Sequence, residues 1–373
     1  MKLRQIAPFF GERECRLAKH GHRYILAGKP VDRRRKSRKK IMQIATPLRP
    51  FGLRISGWGQ ACLSLAGIGA IALATPAQAQ SVGIGTTKGG ATAQVTAAIA
   101  KVVSAHAGLQ MRPQPYANTS QYIPVVNSGK LEFAASNIFQ LTFALNGTGM
   151  SEGRPNPNLR MVATLMPFRV AYFVSEKSGI GSFGGLKGKR LPGFKQRALG
   201  TYLLLGTAAN LNVSTVGWNF VQVPNFPRMW DGFKRGTLDA AIAAVGSKPT
   251  RDMKAARGAL RILPINDDRD SVARMRRHLP QSYVIEMKAN PKLPGLSGDV
   301  KIMAFDYTLW AHKDVKDDTV YRVARTMHER ADDLRAAAPL WRSFKAAGMA
   351  KRVDIDYHPG AIRFYREKGI WRQ

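Results

Sequence analysis

The sequence predicts an α/β fold in two parts with largely parallel sheets, and three observations carry that expectation. Short β-like runs alternate with helical ones after Ser81, the pattern of parallel strands joined by crossover helices. The theme is played twice, with long apolar extended stretches between and after the two passes. A chain of 373 residues with 45% hydrophobic content is long enough for two ordinary cores.

In chain order, SVGIGTT reads as a strand and loop, and ATAQVTAAIAKVVSAHAG as an amphipathic helix closed by Gly108. LQMRPQPY is a second strand, NTSQYIPVVNSGK a capped helix, LEFAASN a third strand and IFQLTFALNG a helix. The Gly-, Pro- and Asn-rich stretch 146–158 must be irregular. LRMVATLMPFRVAYFVSEKSG is a pair of long extended runs, and residues 176–190 lead into a second unit. There KRLPGF, WNFVQVP and DAAIAAVG are strands, separated by the helices QRALGTYLLLGTAANLN and FPRMWDGFKRGTL. VKIMAFDYTLWAHKDV (300–315) is extended again, like a return crossing. The C-terminus reads as three helices, DDTVYRVARTMHERADDLRAA, WRSFKAAGMA and PGAIRFYREKG.

The net charge is +34. Of 58 Lys+Arg and 24 Asp+Glu, residues 1–79 hold 16 and 3, which leaves 42 and 21 for the rest. An excess of about +21 over that remainder favours anionic ligands or surfaces. No basic-aromatic alternation points to nucleic acid, so no nucleic-acid partner is expected.

The N-terminal part carries an export leader. From Met42, Arg49 and Arg54 form a positive region, ACLSLAGIGAIALA (61–74) an apolar core too short for a comfortable membrane span, and Ala77-Gln78-Ala79 a small-x-small cleavage site. Residues 42–79 are therefore expected to be a signal peptide cleaved after Ala79, giving a periplasmic protein. Residues 1–41 are expected to be an extension upstream of the true start. Cys15 and Cys62 both fall in the part to be lost, so the mature chain has no disulfide and no cysteine chemistry.

Catalytic motifs fail one by one. The opening VGIGTTKGGATAQ (82–94) resembles a phosphate loop, but Lys88 precedes Gly89-Gly90 where a P-loop needs Gly-Lys-Ser/Thr, and it occupies the third glycine of a dinucleotide fingerprint. What remains is an anion-friendly helix start. Gly149-Met150-Ser151-Glu152-Gly153 has the letters of a nucleophile elbow without a strand before it or a helix after. No His/Cys set has zinc spacing, and His358, before Pro359, reads as a structural turn histidine. No cofactor, metal or catalytic role is expected.

Small polar groups do recur where strands turn into helices, positions that face the ligand crevice of an α/β sheet. They are Thr86 and Thr87, Asn118, Thr119 and Ser120, Ser136 and Asn137, and in the second unit Lys195, Gln196, Arg197 and Asn225. Two lobes presenting such donors with a cationic patch would suit a clamped, anionic small molecule.

VGIGTTKGGATAQVTAAIAK resembles the first strand, loop and helix of the TAXI-type solute receptors of TRAP transporters. NTSQYIPVVNSGKLEFAASN, NGTGMSEGRPNPNLRMVATL, GLKGKRLPG, RGTLDAAIAAVG and YHPGAIRFYREKGIW extend the resemblance in order along the mature chain. The resemblance implies a type II periplasmic-binding fold, with lobe I in 80–175 and 303–373 and lobe II in 176–302, joined by crossing strands at a hinge. It implies capture of a solute such as glutamate, glutamine or a dicarboxylate, and delivery to a TRAP membrane permease by a monomeric receptor. Carried over by position, the ligand candidates are Thr86, Thr87, Lys88, Gly89, Gly90, Ala91, Asn118, Thr119, Ser120, Gln121, Asn137, Lys195, Gln196 and Arg197. Two departures touch the pocket: Ala91-Thr92-Ala93 stands where many relatives have aromatic residues, and Gly193-Phe194-Lys195-Gln196-Arg197 where they carry a small Gly/Ser-rich loop. A sensing input for a membrane kinase is the alternative use of the same lobe pair.

Overall fold

A computed structural model describes residues 80–372. The expected leader, its cleavage point, the upstream extension and both cysteines lie outside the described residues. Among those described, no helix is long and apolar enough to cross a membrane.

The chain opens with β1 (Gln80–Thr87), α1 (Gly90–His106), β2 (Leu109–Tyr116), α2 (Thr119–Asn127), β3 (Phe133–Asn137) and α3 (Ile138–Asn146). β1 runs parallel to both β2 and β3. α1 supplies the first core layer by burying Val95, Ile99, Val102 and Val103, an i, i+4, i+7, i+8 spacing that puts them on one helical face. After an irregular stretch comes β4 (Leu159–Ser175), one unbroken strand of 17 residues where the sequence reads as a pair of runs.

The second unit contains β5 (Leu191–Gly193), α4 (Leu199–Leu211), β6 (Phe220–Gln222), α5 (Phe226–Arg235) and β7 (Ala240–Ala244). It continues with α6 (Lys248–Arg257), β8 (Leu260–Leu263), α7 (Arg269–Arg276) and β9 (Tyr283–Met287). The return is β10 (Val300–His312), followed by α8 (Asp317–Glu329), α9 (Ala331–Ala337) and α10 (Pro359–Glu367).

The strand order is the same in both lobes. In lobe I it is β2-β1-β3-β10-β4, with β10 antiparallel to its neighbours. In lobe II the parallel pair β5–β6 joins the start of β7, where the Asp239 amide donates to the Arg190 carbonyl at 2.9 Å. β7 then lies against the antiparallel far end of β4, and β8 takes β4's other edge. β4 and β10 thus thread from one lobe to the other, paired with each other from Leu159/His312 to Val170/Met303. Two lobes joined by two crossing strands are the type II binding-protein architecture.

Two C-terminal expectations change. The helix over 317–337 breaks at Arg330, which leaves α-helical geometry (φ −105°, ψ 33°). WRSFKAAGMA forms no α-helix but two 3-10 turns, Pro339–Ser343 and Ala346–Gly348. The stretch that follows them covers the free edge of β4. There the Thr164 amide donates to the Met349 carbonyl and the Met161 amide to that of Asp356, both at 2.9 Å.

Candidate functional site

The glycines of VGIG serve packing. A β-carbon on Gly83 would overlap Leu131, and one on Gly85 would come within 3.0 Å of the Tyr122 ring. Beyond them the loop is fixed by hydroxyls. Thr87 donates to the Gly89 carbonyl at 2.8 Å. The buried Thr86 and Thr96 hydroxyls meet at 2.6 Å, and Tyr307 of β10 donates to the Thr92 hydroxyl at 2.6 Å. Burial raises Tyr307 well above the usual phenol range, so it stays a donor. Lys88 is exposed, Gly89 and Ala91 are half-buried, and Gly90 takes a left-handed φ of +82° that favours glycine.

The other lobe I candidates divide. Asn118, Ser120 and Gln121 are exposed, and Gln121 is turned onto its own loop, accepting from the Ala117 amide at 3.0 Å. Thr119 and Asn137 are brought together through Gln140, which donates to the Thr119 hydroxyl at 2.6 Å and accepts from the Asn137 amide at 3.1 Å. The Asn137 Oδ1 is buried without a partner. Ser136 is structural: its hydroxyl accepts from the Trp310 indole at 3.1 Å.

In lobe II, Lys195, Gln196 and Arg197 are exposed. Arg197 leaves the cationic patch expected of it and crosses to lobe I, pairing with Glu152 at 2.8 Å. Asn225 caps α5, accepting from the Arg228 amide at 3.0 Å, which is the helix-start role its position allows. No hydrogen bond or ion pair joins the opening loop to Lys195–Arg197 among the described residues. Trp230 faces that loop instead: a β-carbon on Gly90 would lie 3.2 Å from its ring. Trp230 is anchored by an indole bond to the Ile242 carbonyl at 2.9 Å and continues through Phe226 to Phe194, with ring centroids 6.0 and 5.1 Å apart. The i,i+4 spacing of Phe226 and Trp230 is the sequence signal for this aromatic wall.

Further contacts join the lobes. Phe143 of α3 meets Tyr202 of α4 at 5.2 Å between centroids, and Gln281 donates to Thr142 at 3.1 Å. At the crossing, Phe168 lies against Phe305 and Tyr307, at 5.9 and 5.0 Å. The buried Asp306 accepts from Tyr283 at 3.0 Å and pairs with Lys351.

Beside β4 at this crossing lies a cavity of about 210 Å³. Phe168, Leu293 and Leu340 give it apolar walls, Ala244–Gly246 line it from lobe II, and Arg169, Asn290 and Arg342 give it polar groups. None of these residues stands out in the sequence. A second void, between the sheet and Phe183, holds about 10 Å³ and is a core packing defect by size.

The fold is that of the two-lobed type II periplasmic binding proteins. The chain belongs to the NMT1-like family, which matches residues 84–369. Among solved structures, it is similar to MatC of Rhodopseudomonas palustris with bound malate, at a TM-score of 0.51 and 13% identity, covering 79% of this chain and 97% of that one. It is also similar to PhnD1 of Prochlorococcus marinus in complex with methylphosphonate, at 0.47 and 10%, covering 78% and 99%. The aliphatic sulphonate binding protein SsuA of Escherichia coli matches at 0.42 and 14%, covering 71% and 74%.

Proposed function

We propose that this chain is a periplasmic solute receptor of the TAXI type, which captures a small anionic organic solute between its lobes and passes it to a TRAP membrane permease. The observation that carries the reading is the pair of lobes with one strand order, threaded by β4 and β10. Such a pair turns the carboxyl ends of its parallel strands toward a shared crevice. A ligand that touches both lobes favours the closed arrangement by its differential affinity for it. The basic balance of the mature chain supports an anionic solute. Thr86 to Ala91, Thr119 and Asn137 remain the lobe I candidates, with Gln196 in lobe II.

A calorimetric and thermal-shift series on residues 80–373 tests this, using malate, 2-oxoglutarate and glutamate against neutral amides and sugars. Carboxylates should bind, and a ligand at 100 times its Kd should add about 2.7 kcal/mol of stability. Tight binding of neutral solutes alone would remove the anion assignment, and silence from every carboxylate would remove the pocket with it.

A further inference from the structure

We infer that the acid groups of the captured solute are held in the cavity beside the crossing strands by Arg169 and Arg342, and not by the cations of the Lys195–Arg197 loop. This rests on the receptor function proposed above and places its charge recognition. Both arginines line the cavity, and neither side chain has an ion-pair or hydrogen-bond partner among the described residues. Asp306, which lies opposite Pro167 two residues along the same strand pair from Arg169, is committed to Lys351 and Tyr283. A cation facing a cavity without its own acid is a site for an external one.

Geometry and chemistry narrow the occupant to a small organic acid. At about 210 Å³ the cavity has room for an acid of a few carbons. Apolar walls at Phe168, Leu293 and Leu340 suit a carbon skeleton, where an inorganic ion would leave them idle. Asn290 uses its side-chain carbonyl on the Lys292 amide at 3.0 Å, which leaves its side-chain N–H donors uncommitted. Arg169 sits on a crossing strand, Arg342 on the lobe I turn and 244–246 on lobe II, so an occupant would contact every part that has to move together.

The test measures malate and 2-oxoglutarate binding by calorimetry on residues 80–373, as wild type, Arg169→Gln, Arg342→Gln, Leu293→Trp and Lys195→Gln. Each arginine variant should weaken binding about tenfold or more. Leu293→Trp, which fills the cavity without changing charge, should do the same, while Lys195→Gln stays within about twofold of wild type. Arg342 is exposed on a turn, so its variant should keep the ligand-free melting temperature and report on binding alone. Wild-type binding retained by both arginine variants and by Leu293→Trp would overturn the cavity and leave the receptor function standing. A wild-type protein that binds neither acid would overturn both.

Discussion

His358 is fully buried, and its ring holds the start of the last helix: Nδ1 accepts from the Gly360 amide at 3.2 Å. The turn is tight enough that a β-carbon on Gly360 would overlap the Asp317 carbonyl, so YHPGAIRFYREKG keeps its glycine for helix-to-helix approach. Burial lowers His358 below its ordinary 6.5, with Asp317, 3.6 Å away, opposing that shift. Burial lowers His278 and His328 as well. The unfolded chain therefore takes up these protons more readily than the folded one. Their stabilising contribution is complete above about pH 6.5 and is lost as pH falls through the lowered native values. Residues 80–373 should melt at a lower temperature at pH 5.5 than at pH 7.5. His358→Asn, which keeps an acceptor for the Gly360 amide without titrating in this range, should narrow the difference, with His278 and His328 sustaining the rest. Calorimetric melting curves at the two pH values decide it, and an unchanged gap in the variant would clear His358 of any part.

At the scale of elements, Trp230 on α5 shows in the sequence as the partner of Phe226, not as a contact of the opening loop. It closes on Gly90 from the opposite lobe and is fixed by its bond to Ile242. Trp230→Phe keeps most of the ring and should cost about 1 kcal/mol, the worth of one hydrogen bond. Trp230→Ala also forfeits the ring contact with Phe226 and the half-buried ring, for about 2–3 kcal/mol in all. Urea titrations of the two variants measure this, and equal losses would mean that the ring contributes nothing beyond its N–H. The strands and helices through Ala244 were legible because each carries an apolar period of two or near 3.6. α7 was not: it buries only Ser271 and Met275 among charged neighbours, so no period marks it. Arg169 was hidden for a related reason. β4 is buried over most of its length, and an apolar run does not show that one cation inside it faces a cavity. Arg197 and Asn225 were correctly placed at strand-to-helix turns, but whether such a residue meets a ligand, a helix end or the other lobe depends on tertiary neighbours.

Across the whole molecule, the lobes touch through Arg197–Glu152, Phe143–Tyr202, Gln281–Thr142 and the Trp230 face on Gly90. Each of these bridges lobe I and lobe II, so each biases the equilibrium between open and closed forms. Arg197 reaches Glu152 from a left-handed backbone (φ 65°), a conformation costly for a side chain of this size. The bridge is largely exposed, 44% and 65% by side chain, so it can be worth at most about 1 kcal/mol. That ceiling sets the size of its effect. If closure is needed for capture, an interaction that favours the closed form raises apparent affinity by the population it adds, up to about fivefold for ~1 kcal/mol. Arg197→Gln and Glu152→Gln should each weaken carboxylate binding by no more than that factor. The double variant should lose little further, because the two changes remove one shared interaction. Small-angle scattering of the ligand-free single variants should show a larger radius of gyration than wild type, with the difference vanishing at saturating ligand. The bridge would be an incidental surface pair if scattering and affinity both stayed at wild-type values, and losses that add in the double variant would mean the two residues act separately.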